Sequence, residues 1–308
     1  VQDLVFNQSK DFTLGAKATY SLKNWFSITA SIHSDFYDRY KRHERRDEQR
    51  KVYKSRILQP RLMITSNYFK AHNLTFGMEH YTDELTSDRF AGKGSHKMLS
   101  RSLKETEYYL QDEWKISQQW MATVGVRTNF SKQFGFMWMP TVAGKYSPAE
   151  HWSFRATYSK GYRSPSIKEL FFNWDHLGMF MVKGNEYLKP EKNNYFSVGA
   201  EYADDRFFIN ATAYANMYKN KIEGVWRIYD MQYNFEYENL HSQDLIGGDL
   251  LARWKIFDFL TLNASYSYVN VSKQDGIRIN TTSPHAATGG LEYSFRKKNY
   301  TLLAGFTT

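Results

Sequence analysis

The chain has 308 residues, of which 42% are hydrophobic and 17% aromatic, including 23 Tyr and 22 Phe, and its formal net charge is +9. The absence of cysteine excludes disulfides and thiolate metal sites, and 6 Pro and 18 Gly are too few for a collagen-like or low-complexity chain. No stretch approaches about 18 uninterrupted apolar residues, which excludes membrane-spanning helices but not a spanning β-barrel, whose strands alternate.

The N-terminus, VQDLVFNQSK, lacks the features of a signal peptide. In FTLGAKATYSL, Phe12, Leu14, Ala16, Ala18, Tyr20 and Leu22 share one face, with Thr13, Gly15, Lys17, Thr19 and Ser21 on the other. Phe26, Ile28, Ala30 and Ile32 repeat the alternation against Ser27, Thr29, Ser31 and His33. The run Lys41 to Arg56 (KRHERRDEQRKVYKSR) is the densest in charge. It reads as a solvated loop, or as a contact for polyanions such as lipopolysaccharide phosphates. Nucleic acid is not an expected partner, because Tyr53 is the only aromatic in the run.

Alternation returns at Leu74, Phe76 and Met78, at Trp120, Ala122, Val124 and Val126, and at Trp152, Phe154, Ala156 and Tyr158. It continues at Phe196, Val198, Ala200 and Tyr202, at Leu260, Leu262, Ala264, Tyr266 and Tyr268, and at Leu291, Tyr293 and Phe295. A helix would need spacings of three and four; period two predicts about fifteen strands of roughly ten residues, the length that crosses a bilayer at a tilt.

Short turns are expected near 22–24, 69–72, 117–119, 147–151, 204–205, 256–258 and 297–298, and long connections near 38–54, 83–104, 160–193, 219–227 and 271–283. Short turns on one rim and long loops on the other are the organisation of an outer-membrane barrel. Trp25, Phe69, Trp114, Trp120, Trp152, Phe207, Trp254 and Phe257 lie beside the short turns, as an interfacial girdle requires. A soluble sandwich would show the same alternation but has no reason to sort its loops by length. An odd count of strands would leave unpaired edges in lipid, so the chain is expected to be a piece of a larger barrel.

The segment ETEYYLQDEWKISQQWMATVGVRTNF, followed in order by HWSFRATYSKGYRSPSIKELF, GNEYLKPEKNNYFSVGAEY, FFINATAYANMYKNKIEGVW, FEYENLHSQDLIGGDLLARW and PHAATGGLEYSF, resembles the C-terminal barrel of TonB-dependent outer-membrane receptors. The likeness covers roughly the last two thirds of the chain. It implies an all-β, antiparallel transmembrane barrel of about 22 strands with a plugged lumen, here spanning 1–308 as one partial barrel. The plug, the segment that engages the TonB complex and several strands are expected to lie outside this sequence. A receptor of this kind is not an enzyme: it captures its ligand at extracellular loops, and a surface lipoprotein is a further candidate partner.

Tyr162-Arg163-Ser164-Pro165 and Asn185-Glu186-Tyr187-Leu188 also resemble the two motifs that flank a haem-coordinating histidine in the haem-receptor branch, with Ser164 and Glu186 at positions where those motifs carry Ala and Pro. The resemblance implies that His176 is the candidate axial ligand of haem iron, with haem as transported ligand rather than intrinsic cofactor. Receptors for siderophores and cobalamin carry similar motifs and are the alternatives. Chemically, a neutral imidazole ligates haem iron, and a flat porphyrin suits Trp174, Met179, Phe180 and Met181. With Tyr162, Arg163, Asn185 and Tyr187 these form the candidate ligand site, on an apolar run expected to be exposed in the loop. Asp175 beside His176 could suggest an enzymatic barrel, but no further Ser or Asp completes a catalytic set. Neither a His-x-x-x-His zinc spacing nor a Walker-type phosphate loop is present.

Overall fold

The computed structural model describes residues 5–43, 48–176, 178–229, 231–272, 283–297 and 300–307. In chain order the strands are β1 (Val5–Ser21), β2 (Phe26–His43), β3 (Glu48–Ser66), β4 (His72–Ser87), β5 (Leu99–Lys115), β6 (Trp120–Ser131), β7 (Gly135–Ala149) and β8 (Trp152–Arg163). Then come helix α1 (Ile167–Phe171), β9 (Asn173–His176), β10 (Phe180–Lys183), β11 (Glu191–Ala203), β12 (Phe207–Tyr229), β13 (Gln232–Phe257), β14 (Leu260–Val271), β15 (His285–Lys297) and β16 (Tyr300–Thr307). A 3₁₀ turn, Asp88–Phe90, lies between β4 and β5.

Fourteen of the strands form one antiparallel meander in which each pairs with its sequence neighbour, β8 passing directly to β11. No pairing joins β1 to β16 among the described residues, so the wall is an open, curved piece rather than a closed ring.

The alternation read from the sequence fixes the two sides of this wall. Register places Phe12 opposite Phe36, Ala16 opposite Ile32 and Tyr20 opposite Ile28 on one face. Large apolar residues of this outer face stay exposed, among them Val124 at 55% and Val198 at 60%. A soluble sandwich would bury them against a second sheet; here they face outward, as lipid contact requires.

The inner face is polar and knitted across strands. Arg61 pairs with Glu79 at 2.7 Å, Arg127 with Glu107 at 3.1 Å, and Arg155 with Glu201 at 3.0 Å. Asn129 and Asn210 donate to the same Glu107 and Glu201 carboxylates. Such rungs satisfy groups that lipid could not.

The expected short turns near 22–24, 69–72, 117–119, 147–151, 204–205 and 256–258 fall on one rim, while that near 297–298 lies partly outside the described residues. Aromatic rings gather on this rim: Trp25 lies 5.0 Å from Tyr68, Trp120 4.3 Å from Tyr146, and Trp152 5.1 Å from Tyr202. This is the expected girdle. At the β11–β12 turn, the Asp204 side chain accepts hydrogen bonds from the amides of Arg206 (2.8 Å) and Phe207 (2.6 Å). Those bonds hold its carboxyl below the usual carboxylate range. A depressed folded pKa means that the carboxylate's contribution is present above the ordinary value of 3.8 and disappears as pH falls through the lower folded value. Protection of the Arg206 and Phe207 amides in the folded barrel, measured relative to their intrinsic exchange rates at each pH, should therefore fall only below the ordinary Asp range; loss of protection already about one unit above that range would contradict it.

Three sequence expectations are corrected on the opposite rim. The sixteen strands among the described residues agree with the expected count of about fifteen, but the wall strands reach 23 residues in β12 and 26 in β13, far beyond the roughly ten that cross a bilayer. The connection expected near 38–54, which holds most of the charged run Lys41 to Arg56, is strand wherever it is described, with 44–47 outside the described residues: Lys51 and Arg56 of β3 bind Asp38 of β2 at 2.8 and 2.7 Å. Residues 219–227 belong to β12. The physical reason is common to these: past the membrane, strands continue in water with both faces polar, so alternation fades while pairing persists. Of the connection at 271–283, residues 273–282 lie outside the described residues.

Candidate functional site

Between β8 and β11 the segment 164–190 folds inward and contributes Ile167, Leu170, Phe172, Val182 and Leu188 to the main buried apolar cluster. Ser166 starts α1 with a capping box, its hydroxyl accepting from the Glu169 amide at 3.3 Å while the Glu169 carboxylate accepts from the Ser166 amide at 2.7 Å. That places Ile167 and Leu170, each 1% exposed, on one side of the short helix. β9 and β10 form a small hairpin whose turn uses Gly178 at φ 76°, with the Asp175 carboxylate accepting from the Gly178 amide at 2.9 Å. β10 then runs parallel to residues 233–236 of β13.

Ile167, Leu170, Phe172, Val182 and Leu188 pack with Val52, Leu85, Phe90 and Leu103, and with Ile222 of β12. Leu85 and Leu103 follow the inner-face parity of Glu79 and Glu107, so the segment bridges the interior from the β8–β11 side to β3–β5. The expectation of an exposed apolar loop is thus corrected: the run is largely a core. Its apolar residues find a matching patch on an otherwise polar inner wall, and burying both removes more apolar area than leaving either in water.

Arg163 donates to both Glu169 oxygens (3.0 and 3.2 Å) and to Glu191 (2.7 Å), and the same Glu191 oxygen accepts from the Ile222 amide at 2.7 Å. The Ser164 hydroxyl lies between the Glu105 carboxylate and the Tyr162 hydroxyl, the latter 3.0 Å away. The Asn185 side chain donates to the Tyr237 carbonyl at 3.2 Å and accepts from the Tyr187 amide at 2.9 Å. Tyr162, Arg163 and Asn185 therefore tie the segment to the wall, while the Tyr187 side chain is 91% exposed.

The remaining candidates cluster. The His176 ring stacks on Phe180 at 4.7 Å and meets the edge of Trp174 at 5.0 Å; Trp226 continues the stack 5.0 Å beyond Phe180. No hydrogen bond reaches the imidazole nitrogens among the described residues. Met179 is exposed and Met181 buried beneath the hairpin. Asp175 engages Gly178 and, at 3.6 Å, Lys93 rather than His176, so the adjacent pair is not a catalytic dyad. No group of three His, Cys, Asp or Glu residues able to hold a metal occurs among the described residues.

Cations gather beside this stack, and sequence reading missed them. The Arg89 guanidinium lies 4.0 Å from the Trp174 ring centre and 5.8 Å from that of Phe172, and Arg101 lies 4.9 Å from Phe171. Burial, and then the neighbouring Arg39, lower the pKa of Arg89. Arg39 Nε and Trp174 Nε1 are buried donors with no hydrogen-bond partner among the described residues. These residues come from β2, the β4–β5 connection and β9, so no sequence window contains them together. A mouth with unpaired cationic and indole donors beside stacked rings can hold an anionic, aromatic ligand.

No helix among the described residues is long and apolar enough to cross a membrane, and this does not bear on strands. A lipid-facing meander with a polar inner wall, an aromatic girdle and an inward-folded mouth segment defines part of the wall of an outer-membrane β-barrel. The family model described as "TonB dependent receptor-like, beta-barrel" matches residues 2–307. The chain belongs to that family, and its place is the outer membrane. It is 24% identical over 229 residues to an iron-regulated outer membrane virulence protein of Vibrio cholerae, covering 67% of this chain and 33% of that protein. To a ferric enterobactin receptor of Pseudomonas aeruginosa it is 26% identical over 142 residues, 42% of this chain and 19% of that protein. A crystal structure of a ferric enterobactin receptor mutant from Pseudomonas aeruginosa superposes with a TM-score of 0.81 at 17% identity, over 98% of this chain and 49% of that one. The chain thus spans about a third of the length of the curated relative it matches over most residues.

Proposed function

We propose that the chain forms the wall and ligand-capturing mouth of a receptor that imports an iron–siderophore complex of net negative charge, driven by the TonB complex through a region outside this sequence. The observation that carries the reading is the pair of buried, unpartnered donors on Arg39 and Trp174 beside Arg89. Unpaired buried donors are costly unless a ligand completes them. A ferric catecholate complex offers anionic oxygens for the guanidinium groups and flat rings for Trp174, Phe180 and Trp226, with no bond made or broken. The names of the relatives point the same way.

A second reading, haem as ligand with His176 on the iron, is favoured by the imidazole nitrogens having no hydrogen-bond partner among the described residues. Full-length receptor in detergent separates the two. Under the siderophore reading, ferric enterobactin quenches tryptophan fluorescence at saturable concentrations, R89A weakens binding about tenfold or more, and H176A leaves it unchanged. A haemin Soret shift that H176A abolishes, without siderophore binding, would transfer the assignment to haem. Equal siderophore affinity in R89A and wild type would remove the anion-recognition argument.

A further inference from the structure

The outer face of the wall carries a feature that ligand capture does not use. Lys192 of β11 pairs in register with Lys219 of β12. Lys160 of β8, opposite Asn194, sits diagonally below Lys192, which is itself opposite Tyr162. Parity puts all three lysines on the outward side with Tyr158, Phe196 and Met217, where β8, β11 and β12 leave the apolar band toward the long-hairpin rim. Like charges directly opposite in a sheet stand roughly 5 Å apart at Cβ and repel. No ion pair joins any of the three to a carboxylate among the described residues; Lys160 lies 5.4 Å from the ring centre of the exposed Trp138. Asp244, opposite Met217 on this face, lies two residues nearer the membrane than the Lys219 row.

Directly below the lysines, small residues hollow the wall. Gly144, Ala156, Ala213 and Ala215, flanked by Phe196 and Ile246, line an apolar groove of about 600 Å³. Along an otherwise bulky lipid-facing surface, such a groove is shaped for a hydrocarbon chain.

We propose that this face binds one molecule of the phosphorylated, multiply acylated glucosamine lipid of the outer leaflet, lipid A. A phosphate lies among Lys160, Lys192 and Lys219, and one acyl chain lies in the groove beneath. The two halves belong together because phosphate and chain occur in one amphiphile at this spacing, headgroup at the interface and tail in the hydrocarbon, and because the basic row stands on the rim that faces the outer leaflet.

The test uses full-length receptor purified in mild detergent, delipidated, and incubated with lipid A, dephosphorylated lipid A or phosphatidylglycerol, with bound lipid counted by native mass spectrometry. Wild type should retain one lipid A through detergent washing. The triple variant K160Q/K192Q/K219Q should lose affinity by about tenfold or more, the combined effect of three surface cations. A213F, which fills the groove without touching charge, should weaken lipid A and dephosphorylated lipid A alike, whereas K17Q on β1 should change nothing. Heat-modifiability on gels shows that each variant remains a folded barrel. Equal retention by the triple variant, or equal retention of phosphatidylglycerol and lipid A by wild type, would overturn the assignment.

Discussion

Replacing Glu191 with Ala is expected to unseat the mouth segment while leaving the wall standing. Glu191 is buried, and one of its oxygens serves both Arg163 and the buried Ile222 amide. The two contributions differ in weight. Arg163 is 44% exposed, so its ion pairs are screened and amount to about 0–1 kcal/mol each. The Ile222 amide has no water to turn to, and stranding it costs about 1–3 kcal/mol. A total of about 1–4 kcal/mol, taken from the seating of the segment, should expose it to protease. Limited proteolysis of the purified receptor should cut E191A within 164–190 at protease levels that spare wild type. E191Q keeps an acceptor for Ile222 and should cleave nearly as slowly as wild type. Equal cleavage of E191A and wild type would show that the apolar contacts alone hold the segment.

Gly184→Ala is expected to be as severe by a different route. A methyl there would stand 2.6 Å from the Leu170 carbonyl carbon and 2.7 Å from its oxygen and from the Phe171 nitrogen. All three are backbone atoms, and the Gly184 amide itself donates to the Phe172 carbonyl at 2.5 Å. No side chain can swing away, so α1 and the following turn must separate, at a cost of about 1–3 kcal/mol or more. Hydrogen exchange of the Asn185 amide, which donates to the Glu169 carbonyl at 2.8 Å, reads this directly. Its rate should rise about tenfold or more in G184A, while amides of β6 and β7 keep their protection. Loss of protection throughout the wall would mean that segment and wall unfold as one unit.

What the sequence displayed, and what it concealed, follow from the range of each interaction. Alternation at Phe12 to Leu22 or Trp120 to Val126 is dictated by nearest neighbours and a lipid boundary, so the strands and the short turns could be read directly. The ring clusters around Trp25, Trp120 and Trp152 were legible for the same reason. Beyond the bilayer that constraint vanishes, and residues 219–227 looked like a loop although they extend β12. The fate of the run containing Ile167, Leu170 and Phe172 depended on Val52, Leu85 and Leu103, more than sixty residues away in the chain. Those three interrupt the polar inner face, and this was the one local hint that something apolar would land there. The clustering of Arg39, Arg89 and Trp174 needed the fold itself, since three separate connections bring them together.

The nearest-neighbour order of the meander also governs how such a wall can be assembled. Strands adjacent in the meander are adjacent in the chain everywhere except at β8–β11, so strands can be added one after another, each new edge templating the next. At β8–β11 the chain must first loop out through 164–190. Because closure entropy grows only logarithmically, that detour adds only about 1.5–2 kcal/mol over a four-residue turn. The detour is therefore a small hindrance to assembly: a newly arriving β11 can meet β8 while the intervening residues collapse into place.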